Sequence, residues 1–159
     1  MANETIKELV MVEIARRCSL IKEADGYWTT VRVVERTHDM LPTRPTSPTI
    51  YVYEGMEQKD DDRTVNFVEC SMPVGIVYVC ESYPDKTKWA NRMAGDVAKA
   101  MGTEFRLTTH SSAALSVYFR EKSTDIQIDD TGGPTVIVAI IFEAQYRHTP
   151  GDPTDVRWC

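Results

Sequence analysis

Residues 135–147, TVIVAIIFEAQYR, form the longest predicted strand and decide the fold. Side chains alternate between the two faces of a strand. One continuous apolar face contains Val136, Val138, Ile140, Phe142, Ala144 and Tyr146. The other face is apolar from 137 to 141 and polar at Glu143, Gln145 and Arg147. A strand that begins apolar on both faces belongs inside a sheet, so we expect helices on one face and a second layer or another subunit on the other.

Two segments have the periodicity of amphipathic helices. The first runs from Asn3, which we predict as its N-cap, to Gly26. Its apolar positions are Ile6, Val10, Ile14, Cys18 and Ile21. The second begins at the capping residue Asp85 and stops at Gly102. Its apolar positions are Trp89, Met93, Val97 and Met101. We predict an α+β fold in which both helices pack on one face of a mostly antiparallel or mixed β-sheet.

Shorter strands and two irregular segments lie between these elements. Period-two patterns predict strands at 27–36, 50–53, 64–82, 115–120 and 125–128, with a bend at Pro73–Gly75 in the third. Three prolines in residues 37–49 remove backbone donors, which predicts an exposed arm or crossover. Residues 55–64 contain the run Asp60–Asp62 and are predicted to form the tip of a projecting β-hairpin.

The composition limits the class of protein. The chain has 159 residues, enough for one domain, which we place at 1–149 with residues 150–159 as a flexible tail. Its formal net charge is −6 and its basic residues form no block, which argues against a dedicated DNA-binding face. No apolar run approaches the roughly 20 residues that span a bilayer, so we expect no membrane association. The acidic amino end does not resemble a secretory signal, which predicts synthesis in a cytoplasm.

Motifs for catalysis are missing from the sequence. None of GxSxG, HExxH, GxxxxGK[ST] or GxGxxG occurs. Ser19–Lys22 matches SxxK without its companion motifs, and Asp125–Asp130 resembles a calcium loop but has Asp130 where glycine is required. The four cysteines are far apart, which favours reduced thiols. We therefore predict a protein that is not an enzyme, with no catalytic residue, metal site or cofactor.

Three segments reach away from the predicted core and are polar beyond what folding requires. They are the proline-rich arm, the acidic hairpin tip and the polar half of the last strand. We predict a protein interface that includes Arg44, Glu57, Asp60, Asp61, Asp62, Arg63, Glu143, Gln145 and Arg147. The competing interpretation of the acidic run is a solvated hairpin tip with no partner.

The order of these elements resembles that of tail terminator and related head-tail completion proteins of long-tailed bacteriophages. The amphipathic first helix leads to the step Gly26–Tyr27, and a proline-rich crossover precedes PTIYVYEG at 48–55. The strand IVYVCES at 76–82 leads into the helix with the Trp89 stripe, and the last strand ends in FEAQYRHTPGDP at 142–153. Together these features cover nearly the whole chain.

The resemblance implies a structural virion subunit. Such a subunit assembles as a homo-oligomeric ring of six on the tail tube, ends tube polymerisation and presents a surface to the head. Its implied partners are its own copies, the major tail tube protein and the head-tail connector or neck protein. It would reside in the host cytoplasm before assembly and at the head-proximal end of the tail afterwards. An acidic lumen would let DNA pass without specific binding, in agreement with the net charge.

Two other functions are compatible with the sequence. One is a head closure or neck subunit of the same particle, which only the identity of the partner separates from a terminator. The other is a small cytoplasmic ligand-binding protein or enzyme with a pocket between sheet and helices, lined by Tyr27, Trp28 and Trp89. These aromatic residues are more often core residues, which disfavours the pocket.

Overall fold

The chain folds into a mixed β-sheet with two α-helices, and the predicted α+β class is confirmed. The computed structural model describes residues 4–37, 48–60, 66–81, 85–102, 104–108, 114–128 and 135–154. In chain order, the elements are α1 (Ile6–Ser19), β1 (Val33–Arg36), β2 (Thr49–Glu54), β3 (Gln58–Asp60), β4 (Val68–Glu81), α2 (Lys86–Met101), β5 (Glu104–Thr108), β6 (Ala114–Ile128) and β7 (Thr135–His148).

The seven strands form one sheet. Six of them follow the order β1-β2-β4-β7-β6-β5, and β3 pairs with β4 outside this order. β1 and β2 are parallel, and the other neighbouring pairs are antiparallel. β3 pairs with β4 on the same edge as β2, so that β2 and β3 together follow one side of β4. The predicted mixed, mostly antiparallel sheet is therefore present.

The long β7 lies inside this sheet, as its sequence predicts. It pairs with β4 over its whole length, from Val68 opposite His148 to Glu81 opposite Thr135. Its residues alternate between buried and more exposed positions along the strand. The buried set joins the core with the buried residues of both helices, and each large apolar side chain there contributes roughly 1.5–3 kcal/mol. On the other face, Ile141 remains 46% exposed.

α1 begins two residues later than predicted. Thr5 is its N-cap, and its hydroxyl accepts a hydrogen bond from the Glu8 backbone N–H at 3.2 Å. The buried face consists of Ile6, Val10, Met11, Ile14 and Cys18. The helix ends at Ser19, and a short 3-10 turn then reaches Gly26, whose φ of 83° suits a residue without a Cβ.

α2 has the boundaries that its sequence predicts. The Asp85 side chain accepts from the Lys88 backbone N–H at 3.0 Å, and Gly102 ends the helix with φ of 63°. Arg17 of α1 donates to the carbonyls of Ala100 and Met101 at 3.3 and 3.1 Å. A cation at a helix carboxyl end interacts favourably with the helix dipole, so this contact joins the two helices.

The strand predicted at 27–36 is wrong over most of its length. Only Val33–Arg36 form a strand, and residues 26–30 form a loop against α2. The backbone N–H groups of Trp28 and Thr29 donate to the buried Asp96 carboxylate of α2 instead of to a neighbouring strand. Hydrogen bonds to the distant Asp96 side chain thus replace the strand pairing that the alternating sequence pattern predicts.

The bend predicted at Pro73–Gly75 is also wrong, because β4 is continuous from Val68 to Glu81. Pro73 lies where the neighbouring edge changes from β2 to β3, so its missing N–H costs no strand pairing there. Gly55 fills that gap and donates its N–H to the Pro73 carbonyl at 2.7 Å. A Cβ at Gly55 would be 2.6 Å from Pro73 Cγ, so the close approach requires glycine.

Three strands differ from their predictions. The segments predicted at 115–120 and 125–128 form a single strand, β6, with a register shift between Glu121 and Ser123. β5 has no counterpart in the predictions, and β3 lies in a segment predicted as loop. Both strands are short. β3 is exposed at every position and β5 at alternate positions, so neither has a clear apolar period in its sequence.

Part of the segment predicted as a flexible tail contacts α1. Thr149 and Asp152 form an isolated bridge, and Ile6 donates its backbone N–H to the Pro153 carbonyl at 2.9 Å. Neither helix in the described ranges has the length and apolar character of a membrane-spanning segment. Residues 38–47 of the predicted arm, 61–65 of the hairpin tip and 155–159 of the tail lie outside the described residues.

Candidate functional site

Polar side chains gather on one corner of the sheet, where β3, β4 and β7 lie side by side. The register places Asp60 opposite Glu69, and Glu69 opposite Arg147. Directly paired residues share a face of the sheet, so these three side chains form one row. The adjacent row contains Gln58, Ser71, Gln145 and Tyr118. We call these two rows, together with Glu143, the polar patch.

Arg147 is the fixed centre of the polar patch. Its Nε and Nη2 atoms donate to Glu69 Oε1 at 2.9 and 2.5 Å. Its guanidinium also lies 4.2 Å from the ring centroid of Phe67, a cation–π contact. Planar contact on one side and a carboxylate on the other hold the arginine in place.

Negative charge in the patch exceeds what Arg147 neutralises. Asp60 and Glu69 are like charges on directly opposite residues, an arrangement that destabilises a sheet. Asp60 is exposed and has no ion-pair partner among the residues with described positions. A cation from outside the subunit would relieve this repulsion.

Glu143 extends the patch towards β6. Lys122 lies 3.1 Å from Glu143 Oε2, and Gln145 Nε2 donates to Glu143 Oε1 at 2.9 Å. The hydrogen bond from Lys122 lowers the pKa of Glu143 below its ordinary value. The carboxylate therefore remains charged at neutral pH and is already paired.

A cleft of about 580 Å³ opens beside the patch, where β6 and β7 separate. Their ladder ends at the pair Tyr118 and Gln145, while β7 continues to His148. Tyr146 and Cys70 line the cleft, and the Tyr146 hydroxyl donates to Glu57. Burial raises the pKa of the Tyr146 hydroxyl, and it raises the pKa of the Cys70 thiol to about 12. Both groups stay protonated at neutral pH, so neither is an activated nucleophile.

Glu57 links β3 to this cleft. Its carboxylate is 3.3 Å from Lys59 Nζ and accepts from Tyr146. Burial opposes its ionisation, but the hydrogen bonds from Tyr146 and Lys59 outweigh that effect and lower its pKa. Glu57 is therefore a charged residue with internal partners.

The polar patch contains four of the nine predicted interface residues, Asp60, Glu143, Gln145 and Arg147. Glu57 precedes β3, but its carboxylate contacts Tyr146, whose side chain belongs to the core face of the sheet. The other four, Arg44, Asp61, Asp62 and Arg63, lie outside the described residues.

A second surface, which the sequence interpretation missed, lies on α2. Trp28 is 56% exposed, and its ring packs against Gly95, where a Cβ would be 3.0 Å from Trp28 Cζ3. Below it, the fully buried Asp96 accepts from the backbone N–H groups of Trp28 and Thr29 at 3.1 and 2.8 Å. The Thr29 hydroxyl donates to the same carboxylate at 2.7 Å. A buried carboxylate with three donors is a rigid anchor.

Further contacts hold the loop of residues 26–30. Lys99 Nζ donates to the Gly26 carbonyl at 2.7 Å and lies 4.5 Å from the ring centroid of Tyr27. The Tyr78 hydroxyl donates to Thr29 Oγ1 at 3.1 Å. Trp28 is consequently displayed on a fixed backbone.

A shallow groove of about 490 Å³ runs along α2 beside this tryptophan. We call it the Trp28 groove; its lining residues are Trp28, Asp85, Thr87, Lys88, Asn91 and Arg92. The Arg92 guanidinium lies 5.1 Å from the ring centroid of Trp89. Of the three aromatic residues suggested as pocket lining, Trp28 is the one that lines this groove. The signal that indicates this surface is Asp96, a charged residue within the apolar stripe between Met93 and Val97.

Potential metal ligands and thiols in the described part of the chain are dispersed or buried. In the part of the chain that the structure describes, no three His, Cys, Asp or Glu side chains cluster to hold a metal ion. Burial raises the pKa of Cys18 to about 12 and that of Cys80 to about 11. His148 Nδ1 contacts the Thr149 carbonyl at 2.8 Å, and its buried Nε2 has no partner within the described ranges.

Comparison with known proteins gives no family assignment. No protein-family model matches the sequence, and no curated protein matches it closely enough to identify a relative.

Proposed function

We propose that this chain is a structural subunit of a bacteriophage virion, of the tail terminator kind. It forms a ring on the end of the tail tube, stops tube growth and offers a surface to the head connector. The observation that carries this proposal is the polar patch, which gathers four predicted interface residues on one exposed corner of the sheet. Ion pairs and hydrogen bonds keep these side chains in place, and folding of the core does not require their charge.

A ring subunit needs at least two different surfaces, because heterologous contacts join unlike patches of successive copies. We propose that both helices cover one face of the sheet and that the other face is used for contacts between subunits or with the tube. On that face Ile141 and Val33 are exposed, whereas Tyr51 and Val79 are buried. The β3–β4 hairpin would be the projecting arm that reaches the neighbour.

The direct test is a capping experiment. Purified protein is added to preformed tail tubes, and negative-stain microscopy is used to find rings at one tube end. Binding to isolated head-tail connectors without capping would favour the neck subunit instead. Tubes without rings, at protein concentrations well above those of tube ends, would contradict the terminator function.

Mutation of the acidic run tests the assigned surface. Changing Asp60, Asp61 and Asp62 to Ser should leave folding intact, because Asp60 is exposed, and should lower the yield of complete tails in a complementation assay. The matched control is Glu104→Ser on the exposed side of β5. An unchanged yield for the triple variant would remove this segment from the interface.

The cleft beside Tyr146 supports a second candidate, a small ligand-binding protein. Its volume of about 580 Å³ lies within the usual range for ligand sites. Several of its polar lining residues, among them Arg147, Gln145 and Tyr146, already have internal partners, which leaves fewer groups to recognise a ligand. A saturable rise in melting temperature with a small molecule, abolished by Tyr118→Ala, would favour this candidate over the virion subunit.

A further inference from the structure

We infer that the Trp28 groove of one copy receives the acidic corner around Asp60 of the next copy. This inference rests on the proposed ring, in which each subunit must use two unlike surfaces. It adds a specific pair of surfaces, one basic and aromatic, the other acidic. The occupant of the groove is thus a second copy of this chain.

The Trp28 groove is already formed in the isolated subunit. Trp28 is 56% exposed, although a large aromatic side chain gains free energy by burial. The Asp96 carboxylate fixes the backbone of Trp28 and Thr29, and Gly95 leaves room for the ring to lie on the helix. A fixed tryptophan loses little conformational entropy on binding, which is why such residues dominate interfaces.

The groove is basic on an otherwise acidic protein. Two basic residues, Lys88 and Arg92, line the groove against one acidic residue, Asp85, whereas the whole chain has a net charge of −6. Lys88 and Arg92 form no ion pair with any residue whose position is described. The net positive charge of this lining is complementary to the acidic surface of the same chain.

The polar patch around Asp60 has an excess of negative charge. Asp60 lies opposite Glu69 on the same face, and Arg147 neutralises Glu69 from the β7 side. Within the described ranges, the charge of Asp60 therefore remains uncompensated at the exposed edge of β3. Lys88 and Arg92 of a neighbouring copy would supply the missing positive charge.

The two surfaces cannot meet within one subunit. Cys70 and Tyr146 belong to the same buried cluster as Met93 of α2. Their strand neighbours Glu69 and Arg147 point to the opposite side of the sheet, because side chains alternate along a strand. The sheet therefore separates the polar patch from the Trp28 groove, and only a head-to-tail contact between copies brings them together.

Charge reversal with cross-complementation tests the contact. The first variant is Lys88→Glu with Arg92→Glu, and the second is Asp60→Lys. Sedimentation velocity over a concentration series should show self-association about tenfold weaker or more in each variant. An equimolar mixture should regain near wild-type association, because the reversed groove meets the reversed Asp60 and the two unmodified surfaces also pair. Arg106→Glu and Glu104→Lys, both exposed on β5, are the matched controls and should associate like wild type.

Trp28→Ala tests the aromatic part of the groove. It removes an exposed ring but keeps the backbone N–H that donates to Asp96, so circular dichroism and the unfolding midpoint should stay close to wild type. Self-association should fall by about tenfold or more, as for an interface hot spot. A folded Trp28→Ala protein that associates like wild type would overturn the inference.

The remaining outcomes separate the inference from the proposed function. If wild type caps tubes and all variants cap them equally well, the groove contact is wrong and the terminator function stands. If the variants lose tube binding but still self-associate, the groove belongs to the tube protein and the contact is again wrong. If wild type self-associates through the groove but caps no tube, the terminator function is wrong and the contact stands. Wild type that stays monomeric at its highest attainable concentration, with and without tubes, overturns the contact.

Discussion

At the scale of single residues, Asp96 organises the most unusual part of the molecule. It is fully buried in α2 and accepts three hydrogen bonds from Trp28 and Thr29. Asp96→Ala leaves these donors unsatisfied in the interior, so we expect a loss of about 3 kcal/mol or more in unfolding free energy. Urea unfolding followed by circular dichroism measures the change.

The control for Asp96 is Asp85, the exposed N-cap of the same helix. Asp85→Ala should cost about 1 kcal/mol, as is usual for a lost cap. Asp96→Asn keeps one acceptor and should fall between the two. If Asp96→Ala costs no more than Asp85→Ala, then the carboxylate does not anchor the Trp28 loop.

Residue charges on α1 predict how stability depends on pH. The hydrogen bond from Arg16, together with a weaker contribution from Arg17, lowers the pKa of Glu13 below its ordinary value of 4.5 despite partial burial. A depressed folded-state pKa gives stabilisation that is complete above the unfolded pKa and is lost as pH falls through the folded value. The unfolding free energy should therefore decrease as pH falls below 4.5, and Glu13→Gln should reduce this slope. Glu104→Gln is the matched control, and an equal slope in the Glu13 variant would contradict the assignment.

At the scale of elements, the join between β2 and β3 depends on one glycine. A Cβ at Gly55 would be 2.6 Å from Pro73 Cγ and 2.9 Å from the Pro73 carbonyl oxygen. Gly55→Ala should destabilise the protein by about 2 kcal/mol, because the backbone of β4 must shift. Gly75→Ala, where the nearest atom is 3.6 Å away, should change stability by less than about 1 kcal/mol. Chemical denaturation measures the unfolding free energy of both variants, and equal losses would contradict the close contact between Gly55 and Pro73.

The elements whose ends are fixed locally could be predicted from sequence. α2 starts and stops at residues with their own capping chemistry, Asp85 and Gly102, and β7 has an unbroken apolar alternation. The strand at 27–36 was predicted wrongly because its hydrogen-bond partner, Asp96, lies 67 residues from Thr29 in sequence. Local periodicity contains no information about such a partner.

The candidate site, too, could be predicted from the sequence only in part. Glu57, Asp60 and Arg147 could be proposed as interface residues because charge at strand ends is visible in the sequence. Their exact neighbours follow from the register of β3, β4 and β7, which the sequence does not specify. Trp28 was named only as lining of a disfavoured pocket, because an aromatic residue beside an apolar strand pattern usually lies in the core. Its exposure results from the loop that Asp96 holds.

At the scale of the whole molecule, opposite charges lie on opposite sides of the sheet. The polar patch, with its excess of negative charge, and the basic Trp28 groove belong to a chain with a net charge of −6. Identical subunits with such surfaces repel one another on average but attract in one orientation. This charge distribution is compatible with the head-to-tail contact that we propose, in which burial of Trp28 would supply the apolar part.

These two contributions, the charge attraction and the burial of Trp28, respond differently to salt. The Debye length falls from about 10 Å at 0.1 M to about 3 Å at 1 M ionic strength, so charge attraction across the contact weakens as salt is added. The association constant of wild type, measured by sedimentation equilibrium, should therefore decrease with salt. The variant Lys88→Glu with Arg92→Glu should reverse this dependence, because salt then screens a repulsion between like charges. Trp28→Ala should weaken association at every salt concentration and keep the slope. Association of wild type that strengthens with salt would mean that apolar burial alone holds the copies together, and the acidic corner around Asp60 would then have no role in the contact.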